Sequence, residues 1–186
     1  WPPMESDAHY GVTLAALGVG MAPGGYAASE EGKAGVEGIR RYLRKNSPPS
    51  LHHRAMLLWA STRLDGLMEK KEQAAVLKAL FSLQRPDGGW AMASLLEGWE
   101  GHQRKDDSKQ ELEKSDGYGT GFVTYVARQG GVSAGDARLQ KAIGWLKANQ
   151  RQSGRWFTRS PTRDSKHFIS NAGTAFAVMA IDACLP

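Results

Sequence analysis

Eight polar side chains stand at the openings of four apolar segments: His9 and Tyr10, His52 and His53, Asp116 and Tyr118, His167 and Asn171. Histidine, tyrosine and aspartate can each move a proton when their surroundings tune them. A ring of them around one rim could do general acid–base work, such as β-elimination on a polysaccharide. The same residues serve equally well as helix caps and rim hydrogen bonds. Their spacing carries no metal signature, because adjacent His52 and His53 point about 100° apart on a helix and cannot share one ion. No metal and no cofactor are expected, and no side chain is assigned a catalytic role.

Two further groups of residues could bind ligands. Trp59, Tyr118, Phe122, Tyr125 and Phe176 lie inside the apolar segments. Around a cavity they would contact an apolar molecule or stabilise a cation over their faces. Packed on one another they are simply core. Arg151, Arg155, Arg159 and Arg163, with Lys141, Lys147 and Lys166, face only Asp164 in residues 141–167. Such a patch would attract an anionic polymer or lipid headgroup, and its plain reading is a solvated surface. Nucleic acid is not an expected partner. The single cysteine, Cys184, rules out an internal disulfide and a cysteine-rich zinc site.

The elements that would position these residues are helices of two kinds. An inner kind, apolar nearly all round, is predicted at 7–21, 51–64, 117–128 and 169–184, with Thr13, Thr120 and Thr174 in matching places. The last leaves no polar face across Ile169, Ala172, Ala175, Phe176, Val178, Met179 and Ile181, so it is expected to be packed on every side. An outer, amphipathic kind is predicted at 33–46, 70–84 and 136–150. There Leu139, Ala142, Ile143 and Leu146 fall at i, i+3, i+4 and i+7, and Val36, Ile39 and Leu43 repeat the stripe. Pro48 and Pro49 end the first outer helix, and Ser50 is placed to cap the next inner one. Residues 91–116 form a long polar insertion, expected to be a mobile surface loop with a helical turn near Leu95. The reading is an all-α repeat filling residues 1–186 as one domain.

One phrase occurs twice: Gln84…Gly88-Gly89-Trp90 and Gln150…Gly154-Arg155-Trp156, each closing an outer helix. The glutamine amide can donate to a carbonyl left unpaired at the helix end. The glycine supplies the positive φ that reverses the chain, and the indole covers the turn. The phrase resembles the Gln-Trp repeat of squalene–hopene and oxidosqualene cyclases. More broadly, the chain is similar to the terpenoid-cyclase and protein-prenyltransferase α/α toroids. The resemblance implies inner helices ringing a cavity, outer helices around them, and Gln-Trp turns near one rim. Three pairs and one inner helix make an arc of such a ring. The Asp-x-Asp-Asp acid of the triterpene cyclases is absent, and Asp106-Asp107 sits in a charged loop. The zinc ligands of the prenyltransferases have no counterpart here.

Composition is that of a soluble globular chain, 41% hydrophobic and 23% charged with net charge +5. No apolar run approaches the roughly 18 residues of a membrane span. The opening Trp1-Pro2-Pro3, without an initiator Met, reads as a fragment or a processed product, so no compartment is assigned. Three function classes follow. A divergent cyclase-like repeat protein binding, or transforming, a hydrophobic isoprenoid ranks first, on resemblance. A non-catalytic module binding a protein, further repeats of the same chain or an anionic polymer is second. A polysaccharide lyase-like toroid using the His/Tyr rim is third.

Overall fold

Capping residues set the helix boundaries in the computed structural model, which describes residues 7–165 and 167–185. The helices are α1 (Ala8–Met21), α2 (Glu30–Lys45), α3 (Leu51–Ser61), α4 (Lys70–Ser82), the single turn α5 (Met92–Leu95), α6 (Gly117–Gln129), α7 (Ala137–Ala148) and α8 (Ile169–Ala183). Among the described residues there is no strand. Asp7, Ser29, Ser50 and Asp116 each accept from a backbone amide in the first turn of the helix that follows, so Ser50 caps α3 as its position predicts. Glu69 and Glu72 close a capping box on α4.

The apolar helices pack in series, α1 on α3, α3 on α6 and α6 on α8. The amphipathic ones pair with them, α2 on α1, α4 on α3, and α7 on both α6 and α8. Helix α6 is the most enclosed, buried from Gly117 through Thr124 and again at Val126 and Ala127. Its closeness to α8 depends on glycine. A Cβ at Gly121 would lie 2.5 Å from the Ala177 nitrogen, and one at Gly173 would lie 2.9 Å from the Tyr118 nitrogen.

Two expectations are corrected. Helix α8 is not packed on every side: Val178 is 55% exposed, and Ala175 is exposed too. Among the described residues, the helices packed most closely on α8 are α6 and α7. The 91–116 insertion is also not a polar loop throughout. Met92, Leu95 and Leu96 are core residues. Its polar remainder is tied to residues 157–164. The enclosed Arg104 side chain binds Asp106 and Asp164, Gln110 donates to the Pro161 carbonyl, and the Lys105 amide donates to the Thr162 carbonyl. Charges that look like solvated loop in the sequence neutralise one another across the two connections. The helical turn near Leu95 is present as α5.

Candidate functional site

The repeated turn is built the same way twice. Gly88 and Gly154 have φ of 93° and 78°. The Gln84 amide donates to the Gly88 carbonyl at 2.9 Å, and Gln150 to Gly154 at 3.1 Å. Each glutamine thus braces its own turn and not the preceding helix end. The Trp90 and Trp156 indoles are buried and donate to the Leu80 and Leu146 carbonyls, both at 2.7 Å. The tryptophan main-chain amides then donate forward, to Thr120 Oγ1 at 3.1 Å and Thr174 Oγ1 at 3.2 Å. Thr120 and Thr174 match because each receives the preceding repeat. Gln84 adds a bond to the Arg138 carbonyl at the start of α7, and Asp87 accepts from Trp145 Nε1.

At the rim, the first turns of α1, α3 and α6 meet. His52 Nε2 lies 2.8 Å from the Tyr118 hydroxyl, and its ring stacks on Phe122 with centroids 4.5 Å apart. The Tyr10 ring centroid is 6.1 Å from that of His52, and the His9 centroid is 5.8 Å from that of His53. His9, His52, His53 and Tyr118 are all buried, and Tyr10 is half-buried. Burial drives the His52 pKa down to about 3 and lowers those of His9 and His53, while it lifts the Tyr118 phenol well above its usual value. The group is therefore neutral and closed to solvent near pH 7. Ser50 Oγ lies 2.7 Å from His53 Nδ1, and Asp7 Oδ1 lies 3.3 Å from His53 Nε2. Both outer members are helix caps, so His53 links the cap of α3 to the cap of α1.

Asp116 stands beside this group. One carboxylate oxygen accepts from the Gly119 amide and the Thr158 hydroxyl, and the other from the Met92 amide at 2.7 Å. Desolvation raises its pKa to about 6 against the pull of those donors. Asp116 lines a cavity of about 70 Å³ with Gln110, Lys114, Phe157 and Arg159. His167 and Asn171 lie apart from the rim group. His167 Nδ1 accepts from the Ser160 amide, its ring packs on Phe157, and Asn171 is exposed.

The aromatic residues form one cluster across three helices. Trp59 of α3 meets Tyr125 of α6 edge-on at 5.2 Å and Phe176 of α8 at 6.2 Å. Phe176 also meets Phe122 at 5.1 Å and Tyr118 at 5.4 Å. Tyr118 and Phe122 are sealed, whereas Trp59, Tyr125 and Phe176 are half-buried. Trp59 Nε1 is buried without a hydrogen-bond partner.

The basic residues are less free than their spacing suggests. Arg159 binds Asp164 through two nitrogens and also reaches the Lys109 carbonyl and Ser108. Arg151 lies over the Phe157 ring at 4.6 Å, while Arg155 and Arg163 are exposed. Sequence reading missed Trp99, whose ring lies 4.9 Å from His53, and Thr158, the hydroxyl on Asp116. Neither stands at a helical spacing from its partner, so no local signal existed for them.

Among the described residues, no group of three or more His, Cys, Asp or Glu could hold a metal ion. No helix among them is long and apolar enough to cross a membrane. No protein-family model, curated protein or solved structure matches the chain.

Proposed function

We propose that the chain is an arc of an α/α toroid of the cyclase-like kind, and that it binds a hydrophobic, isoprenoid-like molecule against its inner helices. The observation that carries this reading is the half-buried trio Trp59, Tyr125 and Phe176, contributed by three successive inner helices. Aromatic faces in contact across neighbouring helices make an apolar wall. The twice-built Gln-Trp turn and the pairing of inner with outer helices support the toroid part. The role assigned is binding. Asp116, the carboxyl group with the raised pKa, has both oxygens engaged by main-chain amides and Thr158, as a structural cap would.

Titration with a farnesyl or geranylgeranyl alcohol, followed by tryptophan fluorescence, tests the reading. We expect saturable quenching by the wild-type chain, and binding at least roughly tenfold weaker for Trp59→Ala, the equivalent of about 1.4 kcal/mol. Absence of any saturable response, together with no co-purifying lipid by mass spectrometry, would refute it. The lyase reading draws little support, because His52 and Tyr118 are buried against each other where a polymer does not reach.

A further inference from the structure

We propose that the His9–His53 pair is an acid-sensitive latch: mild acidification parts the first turn of α1 from that of α3 at the rim, with the rest of the fold closed. His9 is the second residue of α1 and His53 the third of α3, so both sit where unpaired helix amides already present positive charge. Their rings meet edge-on with centroids 5.8 Å apart, and the Trp99 ring packs on His53 at 4.9 Å. Both histidines are buried, and neither ring nitrogen of His9 has a hydrogen-bond partner. A proton on either ring puts a cation into apolar surroundings beside a like-charged helix end.

One carboxylate answers that charge. Among the described residues, the titratable side chains facing the pair are Asp7 and Tyr10 from α1 and His52 from α3. Tyr118 of α6 stands behind His52 with Asp116 beyond it, and the insertion presents the Trp99 ring. Burial raises the pKa of both phenols, so Tyr10 and Tyr118 stay neutral. Asp7 Oδ1, 3.3 Å from His53 Nε2, can match one imidazolium and not two. Burial holds His9 and His53 below their ordinary 6.5 in spite of Asp7. Parting the helices returns both to water, so the open form takes up protons that the closed form refuses. The latch is therefore whole above pH 6.5 and weakens as pH falls below it.

The parting is local because the other ties lie elsewhere. His52 keeps its bond to Tyr118 and its stack on Phe122, both on α6. The last turn of α1 is pinned beyond the end of α3, where a Cβ at Gly20 would lie 2.5 Å from the Arg63 carbonyl oxygen. Arg40 of α2 donates twice to the Asp65 carbonyl in the same stretch. The rim end titrates and the opposite end is the hinge. The inference is independent of the ligand reading, because it turns on the first turns of α1 and α3 and not on Trp59, Tyr125 and Phe176.

Native-state hydrogen exchange from about pH 7 to 5, read by mass spectrometry and corrected for the intrinsic pH dependence of amide exchange, is the test. With open-form pKa values of 6.5, one proton taken up raises opening about 25-fold over that range, and two raise it about 600-fold. The wild-type chain is expected to show a rise between those limits in residues 8–17, with α6 at least roughly tenfold better protected throughout. His9→Phe fills the space without a titrating ring and is expected to hold the rise to about 25-fold or less. With His53→Phe added, the rise should vanish. Asp7→Asn keeps the cap and removes the facing carboxylate, so opening at about pH 5 should exceed that of the wild type at least about threefold. That arm decides the matter even where the phenylalanine variants fail to fold. A wild-type rise of less than about fivefold in residues 8–17 overturns the proposal. So do equal protection of α1 and α6 in acid, a full response in the folded double variant, or an unchanged response in Asp7→Asn.

Discussion

The Trp90 and Trp156 indoles each reach back to the last turn of the preceding amphipathic helix, at the same 2.7 Å. Trp→Phe at either position removes the donor and part of a buried surface, and is expected to cost about 2 kcal/mol in urea melts. If one substitution proves costly and the other neutral, the two turns are not equivalent clamps. The buried imidazoles set a pH dependence. His52 has its pKa near 3 in the folded chain and near 6.5 when unfolded, so the unfolded chain takes up a proton that the folded chain refuses. The stability it contributes is whole above pH 6.5 and is lost as pH falls towards 3, by about 2 kcal/mol at pH 5. Asp116 has the opposite sign. Its pKa is raised from 3.8 to about 6, so its contribution is present below about pH 4 and lost as pH rises through 6. Measured as Tm against pH, His52→Phe should flatten the acid limb and Asp116→Asn should steepen it between pH 6 and 4. A profile unchanged in both variants would place the titration elsewhere.

At the scale of elements, the two turn glycines separate conformation from contact. Both have positive φ, which costs an alanine about 1–2 kcal/mol. Only Gly88 also lies against a neighbour, for a Cβ there would sit 2.7 Å from the Lys141 carbonyl oxygen of α7, while Gly154 faces open space. Gly88→Ala is therefore expected to destabilise by roughly 1–3 kcal/mol more than Gly154→Ala, and equal losses would remove the contact argument. The insertion makes a second case. Arg104→Met withdraws the cation shared by Asp106 and Asp164, and limited proteolysis should then cut first within residues 100–114; an unchanged cleavage pattern would show that Arg104 does not hold the loop. The helices and their order were legible in the sequence because apolar period and caps are local. So was the turn, since glutamine, glycine and tryptophan sit within seven residues. The pinning of the insertion was not, because Arg104 and Asp164 are 60 residues apart and share no periodicity. The sealing of His52 was also hidden: its burial is decided by Tyr118 and Phe122 on another helix.

At the scale of the molecule, the helices differ in how much surrounds them. Helix α6 is enclosed along nearly its whole length, whereas α2 buries only Gly32, Val36 and Leu43 and rests mainly on α1 and the turn before it. Local stability follows how much of each helix its neighbours enclose. Amide hydrogen exchange is accordingly expected to be fastest in α2 and slowest in α6, and uniform protection would mean one all-or-none unit instead. The forward bonds from Trp90 to Thr120 and from Trp156 to Thr174 carry a consequence for how the chain is made. A ribosome releases residue 90 well before residue 120, so each tryptophan amide waits for an acceptor not yet synthesised. Met92 likewise waits for Asp116. Both Gln-Trp turns therefore emerge unfinished, and each is completed by the helix made after it.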